Sequence, residues 1–159
     1  MVAKGPFGER LRVDVMESAA NTYTSASYRT PVSKTEMMAM LVHAIYLKAS
    51  PGDYAALGSG YTNAHICNRD MGGPAGVHEL GCFAQKIYEV SNPAASELVL
   101  QEVPRETMIY FDPPLLWPWP DVWIGVWGAG NVNAKDAAGY LLYTLEKVAK
   151  EDFIAALVE

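Results

Sequence analysis

The chain has 159 residues, 50% of them apolar and only 19% charged, with a formal charge of −6. That is enough for one domain with a sizeable core, since a chain of about 150 residues buries about 70% of its unfolded surface. Residues 1–50 hold six basic and four acidic side chains and residues 51–159 six basic and fourteen acidic, and with no Lys/Arg run anywhere this excludes a nucleic-acid binder built on a basic patch.

Residues 1–8 contain Gly and Pro and show no period, so they are expected to form an N-terminal arm ordered only by a neighbour, with a single domain over 9–159. MVAKGPFGERL has no hydrophobic core of a signal peptide, and no stretch approaches the roughly 18 apolar residues of a membrane span. Arg10 to Met16 alternates, with Leu11, Val13 and Val15 on one face, and reads as a half-buried strand. Asn21 to Thr30 is rich in Thr, Ser and Tyr, which suits an edge or outer-face strand open to pairing with another protomer. Pro31 stops that strand, and Ser33 with Glu36 has the form of a capping box, predicting one short helical turn near 33–39. Met40 to Lys48 carries Val42, Ile45 and Tyr46, which fit a pleated surface and predict a central strand. A second reading makes Ser33 to Lys48 one amphipathic helix, with Met37, Met38, Leu41, Ile45 and Lys48 in register.

Pro51 to Gly60 is turn material, Tyr61 to Cys67 a short strand, and Arg69 to Gly76, with Gly72, Gly73, Pro74 and Gly76, a loop. Phe83 to Val90 reads as a strand broken by Ser91-Asn92-Pro93. Leu98 to Val103 and Thr107 to Phe111 are two more short strands, and Asp112-Pro-Pro114 is a stop. Pro113 to Pro120 holds four prolines, so it is expected to run extended outside any sheet interior, its tryptophans on apolar surface. Val122 to Trp127 alternates with two apolar faces, which implies burial on both sides. Gly139 to Val148 is the last strand, and Glu151 to Val158 a short C-terminal helix. Seven to nine short strands with two brief helical segments favour an all-β fold, an antiparallel β-sandwich or a barrel.

No reaction is spelled out. His65, Cys67, His78 and Cys82 are the residue types that bind zinc, and alternation puts His65 and Cys67 on one strand face, but their spacing matches no standard zinc module and core or loop placement is the plainer reading. Two cysteines are too few for a disulfide framework; reduced, buried thiols are expected, with one bridge open to them in an oxidising environment. No nucleophile elbow surrounds Ser59, and Gly125 to Gly130 lacks the Lys-Ser/Thr of a phosphate loop. The expectation is no enzyme, no cofactor and no metal. So low a charge content implies apolar surface that meets another chain, and Tyr23, Tyr28, Trp117, Trp119, Trp123 and Trp127 are the interface candidates, because aromatics concentrate at subunit contacts.

TYTSASYRTPVS, MLVHAIYLKASP, FDPPLLWPWPDVWIGV and GYLLYTLEKVAKEDFIAAL, about half the chain in this order, resemble the single jelly-roll capsid (coat) proteins of small icosahedral viruses. The resemblance implies about eight antiparallel strands in two sheets, a homo-oligomeric shell built through edge and aromatic/proline contacts, other capsid proteins as partners, residence in the virion with host cytoplasm during assembly, and no catalytic residues. Many such coats carry an Arg/Lys-rich arm on the genome. Here only Lys4, Arg10 and Arg12 are available, which makes nucleic-acid contact weak or indirect and suits a minor or outer shell component. Two rivals stand beside it. One is a small cupin-like β-barrel, a metal-binding enzyme or ligand-binding protein using His65, His78 and His43; the other is a phage tail, fibre or other oligomeric accessory protein.

Overall fold

The computed structural model describes residues 8–50, 58–73, 80–94, 97–99 and 106–157. The expected arm falls mostly on residues 1–7, outside the described residues. The described chain is all-β apart from one short helix: β1 (Glu9–Met16), β2 (Thr24–Arg29), β3 (Met38–Ala49), β4 (Gly58–Cys67), β5 (Cys82–Ala94), β6 (Glu97–Val99), β7 (Glu106–Trp117), β8 (Asp121–Ala129), β9 (Asp136–Lys147) and α1 (Lys150–Leu157).

The strands form two antiparallel sheets, one ordered β1-β9-β3-β7 and the other β2-β8-β4-β5-β6. From β1 to β4 and again from β6 to β9, each connection carries the chain from one sheet to the other. This interleaving defines a jelly roll, in which most long-range pairing is made by strands distant in sequence. β6 is a three-residue addition at the outer edge of the second sheet.

Alternation places the core. Val13 and Val15 of β1, Leu141 and Tyr143 of β9, Ala64 and Ile66 of β4, and Val122, Ile124 and Val126 of β8 all turn inward and are buried. β3 is the centre of its sheet, paired to β7 and β9. Its inward set runs Met40, Val42, then Ile45, Leu47 and Ala49, so the two-residue beat skips once. The skip is a bulge: both ladders of β3 shift register between Val42 and Ala44, leaving His43 as the inserted residue. A helix over Ser33 to Lys48 is therefore overturned, because two flanking ladders satisfy this backbone as strand. The corner before it is a four-residue turn over Lys34–Met37. Ser33 and Met38 exchange backbone bonds of 3.0 and 2.9 Å across it, Ser33 Oγ accepts the Glu36 amide at 3.2 Å, and Met37 adopts φ 53°.

Two breaks expected from proline do not occur. β7 does not stop at Asp112-Pro-Pro114 but continues to Trp117. It is an edge strand, and between the pairs Ala44↔Tyr110 and Val42↔Leu115 residues 111–114 bulge outward opposite His43 alone, so no ladder bond needs an amide from Pro113 or Pro114. β5 likewise passes through Pro93 to Ala94, because Pro93 lies between the Ser91↔Val99 and Ala94↔Glu97 pairs, where the register shifts. α1 docks through Phe153, which is buried, whereas Ile154 is half exposed.

A polar knot closes one end of the sandwich. Glu17, just past β1, is buried and accepts three backbone amides, from Thr22 at 2.7 Å, Gly128 at 2.9 Å and Lys135 at 2.9 Å. Asn131 beside it donates to the Tyr61 carbonyl at 2.9 Å, and its own amide is accepted by Asn21 Oδ1 at 2.9 Å. These bonds satisfy backbone groups near the strand ends and in the connections beside them.

Candidate functional site

The outer face of the second sheet gathers the residues that looked chemically suggestive. Because Ala64 and Ile66 face the core, His65 and Cys67 point away from it, as alternation requires. His65 is nonetheless only 2% exposed, since the Tyr23 ring lies over it, centroids 5.9 Å apart at 18°. The Tyr23 hydroxyl donates to Asp70 Oδ1 at 2.9 Å and sits 3.5 Å from His65 Nε2. Opposite His65 on β8 is Gly125, where a Cβ would come within 2.3 Å of Nε2. Glycine there makes room for the imidazole.

Burial sets the electrostatics of this patch. It lowers the His65 pKa from 6.5 to about 4, against the opposing charge of Asp70. Burial and the bond to Asp70 raise the Tyr23 phenol above its ordinary value. Asp70 is held low, first by the Gly72 amide at 3.0 Å and also by Tyr23. Cys67 is raised by its hydrogen bond with Cys82 and then by burial.

Of the expected metal candidates, His65, Cys67 and Cys82 lie on this face and His78 falls outside the described residues. Among the described residues no three His, Cys, Asp or Glu side chains are grouped to hold a metal ion. His43 lies in the other sheet, its Nε2 3.0 Å from Thr144 Oγ1, so it does not converge with His65 in a cupin-like ligand set.

The interface candidates separate by burial. Trp117 is fully buried and forms an aromatic cluster with Phe83 (centroids 5.1 Å apart) and Trp119 (5.2 Å, edge-on). It is a core residue and has no surface to offer a neighbour. Tyr23 is committed to His65. Tyr28 accepts the Asp14 amide at 3.1 Å and donates to the Asp14 carbonyl at 2.7 Å, tying β2 to β1, with the Asp14 carboxylate also in contact. Trp119, Trp123 and Trp127 stay half-buried, Trp127 edge-on to Tyr61 at 5.5 Å.

The open surface lies elsewhere. A groove of about 700 Å³ runs between the β7 bulge, α1 and the connection from β4 to β5. Phe111, Pro113, Pro114, Leu115 and Leu116 form one wall, Ala155 and Ala156 another, and Leu80, 83% exposed, stands at the rim. Asp152 is the single charged side chain among the described lining residues. The prolines and the C-terminal helix were both expected from the sequence; that they meet, with Leu80 at the rim, gave no signal, because only tertiary packing brings them together. Elsewhere, Tyr110 and Val132 are also largely exposed.

No family model matches the chain, and no curated protein matches it. It is similar to solved virus structures. These include VP1 of Trichodysplasia spinulosa-associated polyomavirus in complex with GM1 oligosaccharide (9% identity, TM-score 0.44, covering 91% of this chain and 96% of that one), apo VP1 of chimpanzee polyomavirus (6%, 0.44, 94% and 99%), and tomato aspermy virus (10%, 0.37, 89% and 82%). The assignment as a jelly roll rests on this chain's own strand order.

Proposed function

We propose that the chain is a self-assembling structural protein, the subunit of a viral capsid, located in the virion and partnered chiefly by copies of itself. The observation that carries this reading is the apolar groove at the β7 bulge with Leu80 standing 83% exposed at its rim, on a jelly roll whose side chains are only 19% charged. Contiguous apolar surface of this kind marks a contact site, and the low charge content favours another copy of the chain as what covers it. Half-buried Trp119 lines the same groove, and Trp123 and Trp127 offer further half-buried aromatic surface on β8. Arg10 and Arg12, with Lys4, would give nucleic acid only a thin contact.

Light scattering with electron microscopy of the purified chain tests the reading. Closed shells of uniform diameter are the expected result. A monomer that persists at high concentration overturns it, and open rings or tubes would move the assignment to a tail or fibre component.

A further inference from the structure

Cys67 and Cys82 are opposite each other at the mouth of the β4–β5 hairpin. They are 15 residues apart in sequence, yet they are Cα register partners, flanked by the bond from the Asn68 amide to the Gly81 carbonyl at 2.9 Å. That bond belongs to the neighbouring pair, so the cysteines occupy the adjacent, narrow position of an antiparallel ladder, where Cα atoms stand about 4.5 Å apart. The Cα separations of disulfides run from about 4.4 to 6.8 Å, so a pair at this spacing lies within bridging reach, beside the register shift between Ile66 and Cys67 that leaves Phe83 as the extra residue. The thiols are hydrogen-bonded to each other, with Cys67 fully buried, Cys82 5% exposed and Met71 packed against both.

We propose that Cys67 and Cys82 are a redox pair that closes to an intrachain disulfide under oxidising conditions, fastening β4 to β5 at the base of the 68–81 connection. Cys82, the more exposed thiol, attacks glutathione disulfide as its thiolate, releasing one glutathione and forming a mixed disulfide. Cys67 then loses its proton and attacks the Cys82 sulfur, releasing the second glutathione. Two S–H bonds and the glutathione S–S bond are exchanged for one protein S–S bond and two glutathione thiols, and the two electrons leave with glutathione.

The bridge has consequences at both surfaces described above. Asp70, which holds Tyr23 over His65, and Leu80 and Gly81, which line the groove, all lie within the connection that it fastens. Closing a loop of this length chiefly restricts the unfolded chain. Oxidation therefore raises the unfolding free energy of the domain as a whole.

Full-length protein equilibrated in glutathione buffers of rising oxidised fraction, then alkylated and digested, is the test. The expected result is a species about 2 Da lighter than the reduced chain by the chemistry of thiol oxidation, yielding one linked peptide pair that contains Cys67 and Cys82. Its thermal midpoint should stand about 6–12 °C above that of the reduced protein, from the usual worth of a loop this size. C67A/C82A should show one midpoint in all buffers. Glutathione retained on Cys82, linkage between chains, or thiols that stay alkylatable in the most oxidising buffer would overturn the proposal. The mass mapping uses the natural chain, so a poorly folding variant does not weaken it.

Discussion

Glu17 Oε2 accepts the Gly128 amide at 2.9 Å across 111 residues of sequence, and Gly128 is the residue that lets the carboxylate come so close. A Cβ there would fall 2.5 Å from Asn131 Nδ2 and 2.9 Å from Glu17 Oε1. Removing the carboxylate strands the buried amides of Gly128 and Lys135, each worth about 1–3 kcal/mol when left unsatisfied, while the exposed Thr22 amide can turn to water. Glu17→Ala should therefore lower unfolding stability by at least about 2 kcal/mol in urea titration, and Gly128→Ala should be destabilising for the opposite reason, by crowding. A loss under 1 kcal/mol for Glu17→Ala would mean that water replaces the carboxylate.

His65 predicts how stability depends on acidity. Its folded pKa, about 4, lies below the unfolded value of 6.5, so at intermediate pH the unfolded chain binds a proton that the folded chain refuses. The stability this residue contributes is complete above pH 6.5, falls as the pH drops and is lost by about 4, on the order of 3 kcal/mol in all. His65→Gln should flatten that part of the curve. An imidazole titrating near 6.5 by NMR in the folded protein would contradict the burial argument.

The tryptophans should divide by position rather than by type. Trp117→Ala opens a cavity in the core and should cost about 3–5 kcal/mol, whereas Trp123→Ala, on a half-buried outer face, should cost less than half as much and act mainly on assembly. Chemical denaturation and particle sizing of the two variants separate these effects.

Leu80 separates folding from association. At 83% exposure it contributes little to the core, so Leu80→Asp should leave stability within about 0.5 kcal/mol. If the groove is a contact between copies, the same change should strongly reduce assembled particles on sizing columns. Unchanged assembly would take the groove out of the contact.

Most strands were legible because their inward positions recur every second residue: Leu11, Val13 and Val15 in β1, Val122, Ile124 and Val126 in β8. What was hidden came from places where the beat slips or an edge relaxes the rules. The His43 bulge shifts the phase of β3 midway, so its apolar positions fit a helix nearly as well as a strand. Pro93, Pro113 and Pro114 read as breaks because a ladder interior rejects them, and only the topology reveals that they sit where no partner asks for an amide. Trp117 looked like contact surface because its neighbours are prolines, while burial depends on which strands lie above it. The Glu17 knot left no trace, since its partners lie 5, 111 and 118 residues away.

The phenol of Tyr28 has a wider effect than joining β2 to β1. By occupying the amide and carbonyl of Asp14 it plugs one rim of the four-stranded sheet, while the prolines of the β7 bulge blunt the other. With each flank interrupted by a different means, both edges of that sheet are poor templates for an added strand, which favours neighbours that fit against it through shape and side chains.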